Sequence, residues 1–185
     1  MSVLNQKTLN DTVKFKGIGL HSGEKVTMTL FPAPPNTGIV FKRSDLRKNN
    51  LIFPNVFNVS SASYCTKLTN EYGVSVSTVE HLMASLCGLG IDNLLIELNS
   101  EELPIMDGSS KKFVEAINSV GFKISDQPIR IIKINKKITY KDDEKFITFE
   151  PNKISLEIDF EIKYKKNLIL NQRNKKNIYM DDLTD

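Results

Sequence analysis

Cysteine is scarce: the chain holds two, Cys65 and Cys87, with no CxxC spacing. A disulfide framework is excluded on that count, and thiols that need not pair fit a reducing compartment. Long apolar runs are lacking as well. The most generous stretch, residues 120–134, is broken by lysines, an aspartate and a proline, whereas a membrane span needs about 20 apolar residues. The opening Met1-Ser-Val-Leu-Asn-Gln-Lys7 has no apolar signal-peptide core, so the sequence predicts a cytoplasmic protein that does not span a membrane. Charge of one sign is not concentrated either. Residues 1–120 carry 11 basic and 11 acidic side chains and residues 121–185 carry 14 and 11, which leaves the net +3. So small and interleaved an excess argues against a nucleic-acid partner.

What is present is enough for a core: 185 residues, 40% of them hydrophobic. From Thr12 to Arg43 apolar and polar residues alternate, as in Val26, Met28 and Leu30 against Lys25, Thr27 and Thr29, the pattern of strands with one buried face. The Pro-rich stretch around Pro34 reads as the turn between two of them. Tyr64–Thr69 and Val74–Val76 flank Asn70-Glu-Tyr-Gly73 as a hairpin would. Val79, Leu82, Met83 and Leu86 then fall on one helical stripe, preceded by Ser77-x-x-Glu80 in the form of a capping box and followed by Gly88 and Gly90. Asn93–Leu98 reads as a buried strand. A second helix is expected over 110–120, with Phe113, Ala116, Ile117 and Val120 on one face and Gly121 closing it. Sheet plus two helices predicts an α+β two-layer sandwich, a mixed sheet packed on two helices.

Residues 121–128 have linker composition, so the first domain is placed at 1–124 and a second at 129–185. Ile129–Thr139, Phe146–Phe149 and Ile154–Ile162 alternate again, with turns at Asp142-Asp143 and Pro151-Asn152, which repeats the opening of the first domain. No strong amphipathic helix comes after them, so the second segment is expected to be an incomplete start of a similar domain with an uncovered apolar face.

Glu80-His81, at the first turn of the first expected helix, sets an acid beside a possible metal ligand. Adjacent helical residues project about 100° apart, so both can reach one pocket, although this is not the HExxH pattern. Equally, Glu80 can complete the capping box and His81 can be a packed histidine. The only other histidine, His21, lies in Gly17-Ile-Gly-Leu-His-Ser-Gly23, where the glycines allow close approach of a ligand or of another strand. Met106-Asp-Gly-Ser-Ser110 is either a functional loop or a turn and helix cap. Cys65 and Cys87 are either ligands or small buried residues. Lys165, Lys166, Arg173, Lys175 and Lys176 either meet a diphosphate or form a solvated surface.

Taken in order, Gly17–Gly23, Pro32-Ala-Pro34, Asn36–Asp45, Ser77-Thr-Val-Glu-His-Leu82, Gly88-Leu-Gly-Ile-Asp-Asn93, Pro104-Ile-Met-Asp-Gly-Ser109 and, more weakly, Asn171-Gln-Arg173 resemble the UDP-3-O-acyl-N-acetylglucosamine deacetylase family. The resemblance implies two similar domains with the active site between them. It implies a zinc-dependent hydrolase of lipid A synthesis that removes the N-acetyl group of an acylated UDP-amino sugar, its small-molecule substrate, and releases acetate.

In such an enzyme His81 would bind the zinc with a histidine and an aspartate of a His-Lys-x-x-Asp motif in the second domain. Glu80 would be the general base, and a later histidine would protonate the leaving amine. His21 would border the substrate and Cys65 would lie near the acyl passage. The chain reaches Asp185 without the His-Lys-x-x-Asp motif. The expectation is therefore an N-terminal portion that neither holds stoichiometric zinc nor deacetylates by itself. The alternative is a naturally short, non-catalytic protein that binds an acylated sugar nucleotide or a protein partner.

Overall fold

A computed structural model of the chain describes residues 4–152, 156–164 and 170–178. The chain divides into two compact units, the change falling between Ile129 and Arg130. The first unit runs β1 (Asn5–Leu9), β2 (Val13–Ile18), β3 (Lys25–Pro32), β4 (Ile39–Arg43), β5 (Leu51–Ile52), a 3-10 turn at Val56–Asn58, β6 (Val59–Ser61), β7 (Lys67–Thr69), β8 (Ser75–Ser77), α1 (Glu80–Leu89), β9 (Leu94–Leu98), α2 (Lys111–Val120) and β10 (Phe122–Pro128).

Five strands make the main sheet in the order β2-β3-β9-β4-β5. The expected buried strand, β9, is at its centre, antiparallel to β3 and parallel to β4. The sheet is therefore mixed. The Pro-rich segment joins β3 to β4, but as a crossover past β9 and not as a tight hairpin turn. Alternation does what the sequence predicts: Val26, Met28 and Leu30 are buried, with Lys25 exposed beside them. Leu82 and Leu86 of α1 and Phe113 and Ile117 of α2 join Phe15, Phe41, Leu94, Ile96 and Leu98 in one core. Phe113 meets Phe15 edge to face at 5.0 Å between ring centroids. This is the two-layer α+β sandwich. Among the described residues no helix is long and apolar enough to cross a membrane.

Residues 122–128 are not a linker but strand β10, antiparallel to β1 from Leu9↔Phe122 to Asn5↔Pro128. Their polarity reflects a two-stranded ribbon whose side chains are mostly exposed, a setting in which strands need no apolar face. The capping box also fails. Ser77 belongs to β8, α1 starts after Val79 with no side-chain cap, and the Glu80 carboxylate accepts instead from the Thr66 amide at 3.0 Å. Tertiary pairing of β8 has taken the residue that a local motif would have used. The glycine stop does hold, with Gly90 in the left-handed region at φ 66°.

The second unit contains β11 (Ile138–Asp142), β12 (Lys145–Phe149), β13 (Glu157–Ile162) and β14 (Gln172–Asn177). They form two separate antiparallel hairpins, β11-β12 and β13-β14. The turn expected at Asp142-Asp143 is present, with Asp143 at φ 50°. The expected strand over 129–139 is confined to its last residues, since pairing begins at Ile138. Lys165 and Lys166 lie outside the described residues.

Candidate functional site

The geometry around the start of α1 comes from one tight connection. Strand β8 ends at Ser77, and the chain must turn into α1 within two residues, Thr78 and Val79. Thr78 does so with φ 58°, a conformation that costs a β-branched residue roughly 1 to 3 kcal/mol. The sheet side of the turn is held by neighbours: the Ser77 amide donates to Glu101 O at 2.9 Å and Ser77 O accepts from the Leu103 amide at 3.1 Å. Glu80 and His81 are then the first two helical residues, both half-buried.

Glu80 lies on the wall of an open cleft of about 320 Å³ that is lined by Val56, Val59, Leu68, Val79 and Met83 with Thr66 and Asn55. Its Oε2 is occupied by the Thr66 amide. Its Oε1 takes no hydrogen bond among the described residues, so one oxygen of a fixed carboxylate is available beside an apolar wall. His81 is next on the helix but is not among the residues lining that cleft. Its backbone carbonyl accepts from the Ser85 hydroxyl at 2.8 Å and the Ser110 hydroxyl at 3.0 Å, which ties the helix start to the start of α2.

The other named residues converge here to different degrees. His21 is exposed, and its backbone amide donates to Glu102. Cys65 is half-buried and directly precedes Thr66, the residue that holds Glu80. Cys87 is exposed, near the far end of α1. Asp107 accepts at Oδ1 from the Ser109 amide (3.0 Å) and hydroxyl (2.9 Å), and the Ser109 hydroxyl accepts from the Lys111 amide at 3.1 Å. That segment is a turn leading into α2, and the Ser109 hydroxyl and amide hold the Asp107 carboxyl below its usual range. Of the cations suggested for a diphosphate, Arg173 makes a two-pronged pair with Asp159 at 2.6 and 2.8 Å and Lys175 pairs with Glu157.

Glu102 is the residue that sequence reasoning missed. It is 3% exposed. Its Oε1 accepts from the His21 amide at 3.0 Å and the Thr78 hydroxyl at 2.9 Å, and its Oε2 from the Ser22 amide at 2.8 Å. Burial pushes its pKa up, but the bonds from His21, Ser22 and Thr78 outweigh that and bring it down to about 2. Two of the three glycines of the 17–23 loop stand against the segment that carries Glu102. A Cβ on Gly19 would run into the Glu102 carboxylate, and one on Gly17 would stand 2.9 Å from Pro104 Cβ. Close approach of another chain segment is thus what Gly17 and Gly19 allow, whereas Gly23, at φ 68° with open space around it, serves the turn. A glutamate before an apolar-proline pair carries no local signal of such a role.

Among the described residues no group of three or more His, Cys, Asp and Glu side chains could hold a metal ion.

A family model described as LpxC, UDP-3-O-acyl N-acetylglycosamine deacetylase, matches residues 6–184. Curated relatives are similar over most of the chain. The UDP-3-O-acyl-N-acetylglucosamine deacetylase of Pseudoalteromonas atlantica is 47% identical over 162 residues, 86% of this chain and 53% of the relative. The proteins of the same name from Wigglesworthia glossinidia brevipalpis and Vibrio parahaemolyticus are 45% and 42% identical over 86% and 85% of the chain and 55% and 53% of their own. The chain spans about half the length of the curated relatives it matches.

Proposed function

The chain belongs to the UDP-3-O-acyl-N-acetylglucosamine deacetylase family, and from that premise we propose that it contributes Glu80 and His81 to a hydrolase of lipid A synthesis in the cytoplasm. The reaction is hydrolysis of the N-acetyl group of UDP-3-O-acyl-N-acetylglucosamine to acetate and the free amine. The single observation that carries this is the placement of Glu80: the first residue of α1, on a cleft wall, with Oε2 held by the Thr66 amide and Oε1 without a hydrogen bond among the described residues.

A carboxylate held in this way suits a general base. It accepts the proton of the water that attacks the amide carbonyl, a role worth typically ~10² to 10⁴-fold in rate. Holding one oxygen fixes the other, so little reorganisation is needed as the proton moves. His81 is the proposed zinc ligand of this half. The metal belongs to the proposal through the family. His21 and Cys65 are assigned to the border of the substrate. The first unit is proposed to be one complete sandwich domain and the second the start of a similar one.

The test is acetate release from UDP-3-O-acyl-N-acetylglucosamine, measured on the 185-residue chain and on the reading frame carried on to the length of its relatives. In whichever form is active, Glu80→Ala is expected to lose ~10² to 10⁴-fold in turnover while retaining metal, and His81→Ala to lose metal. Turnover unaffected by Glu80→Ala, or equal metal loss in both variants, overturns the assignment.

A further inference from the structure

Two of the segments that carry the family resemblance, 17–23 and 77–82, meet at Glu102. This carboxylate is buried, and among the described residues it has no ion-pair partner. Its hydrogen bonds go to two loops: the His21 and Ser22 amides of one, and the Thr78 hydroxyl of the other. Its own backbone segment is also held in place. Its neighbours Glu101 and Leu103 clamp Ser77 from both sides, and Ser77 bridges Glu102 in parallel. The Ile105 amide continues the join by donating to Ile18 O at 3.0 Å.

From these contacts we infer that Glu102 is a positioning residue: its carboxylate sets where the His21 loop stands relative to the Glu80–His81 turn of α1. The physical logic is one of matched demands. The turn at 19–23 presents two backbone amides on one side, and a carboxylate is the side chain that accepts both at once. Thr78 sits in a conformation that its β-branched side chain disfavours, and the bond from its hydroxyl to Oε1 holds it there. Glutamine at position 102 keeps the shape but replaces one acceptor oxygen by a donor group, which faces N–H groups that need an acceptor. Gly19 completes the device, because any side chain there would occupy the space of the carboxylate. Glu102 itself is too enclosed to touch substrate, so it acts through the residues it holds.

The inference rests on the assignment of Glu80 and His81 for its meaning, but its test does not use activity. Amide hydrogen exchange is measured by NMR on the 15N-labelled 185-residue chain at neutral pH. In Glu102→Gln the His21 and Ser22 amides are expected to exchange about tenfold faster, since bonds to a charged acceptor are being lost, while the amides of β9 stay within about twofold. The ring signals of the two histidines should shift in the same variant. Thr78→Val, which removes one hydroxyl, should also speed exchange at His21 and Ser22, and should add nothing once Glu102 is glutamine. Glu102→Asp should recover part of the protection.

Uniform acceleration of all amides would mean a general loss of stability and would overturn the inference. So would unchanged His21 and Ser22 amides, or additive effects of Thr78→Val and Glu102→Gln. If Glu102→Gln does not fold, Thr78→Val alone decides, by whether the His21 and Ser22 amides respond. Loss of the activity reading leaves this result standing, and loss of this result leaves the roles of Glu80 and His81 untouched.

Discussion

The two units use the same strand grammar and reach different ends. In β3 the apolar members of the alternation, Val26, Met28 and Leu30, are at most 2% exposed. In β11 and β12 the corresponding residues, Ile138, Tyr140, Ile147 and Phe149, remain between 48 and 68% exposed, and Phe160 of β13 is 60% exposed. The strands do not separate the two units; the presence of helices does. The first unit supplies two helices whose apolar stripes fill the face of the sheet, while the described part of the second holds hairpins alone. Period-two patterning thus identifies a face that wants cover; only a second layer provides it.

That difference can be broken most severely through the layer contact. Phe113 is 1% exposed and bridges α2 to β2 through Phe15. Phe113→Ala is expected to destabilise the first unit by about 3 to 5 kcal/mol. Phe160→Ala, with the same atoms removed from an exposed strand, should change stability by less than about 0.5 kcal/mol. Urea unfolding monitored by circular dichroism compares the two. Equal losses would mean that Phe160 is as buried as Phe113 in solution and that the contrast between the units is wrong.

Legibility in the sequence divides along the same line. The helices, the central strand and the core stripe are readable because Val79, Leu82, Met83 and Leu86, or Val26, Met28 and Leu30, repeat at a period that the backbone enforces. The strand at 122–128 is not, because an exposed two-stranded ribbon places no apolar demand on Phe122–Pro128 beyond pairing with β1. The capping box misleads for a related reason. Ser77 has the right local chemistry, but the pairings of β8 with β7 and with 101–103 use its backbone, and a sequence window cannot see a partner 24 residues away. Glu102 is invisible on the same ground: its meaning lies wholly in the amides of His21 and Ser22. His81 and Glu80 stand out only because the dipeptide recurs in a known motif, and their placement at the helix start depends on Thr78 as much as on their own preferences.

The buried charge gives a smaller effect with a definite pH window. In the fold Glu102 is held at about 2 against an ordinary 4.5. A depressed carboxyl favours the folded state above the unfolded value and loses that advantage as pH falls through the folded one. Stability should therefore be level above about pH 5 and decline between about 4.5 and 2, with a contribution on the order of 3 kcal/mol for a shift of this size. Glu102→Gln should flatten that part of the acid-unfolding curve while being less stable at pH 7. An unchanged acid limb would show that other carboxylates govern it.

The smallest effect is expected where the second unit shows its most conspicuous electrostatic contact. Asp159 and Arg173 are joined by two short bonds, and the guanidinium holds the Asp159 carboxyl below its usual range. Yet their side chains are 39 and 65% exposed, and water and salt compete for both. At 0.15 M salt the screening length is about 8 Å, and exposed pairs of this kind contribute little to folding. The Glu102 bonds, by contrast, are made by a carboxylate that is itself 3% exposed, to two backbone amides and a hydroxyl. Arg173→Ala is therefore expected to leave the thermal midpoint unchanged within error at 1 M salt and to lower it, if at all, only in dilute buffer. Glu102→Gln should be destabilising to the same extent in both. Thermal unfolding of the two variants and the parent protein at low and high salt measures this. A salt-independent loss in Arg173→Ala would show that β13 and β14 are held by that pair and that the second unit is less open than its exposed faces indicate.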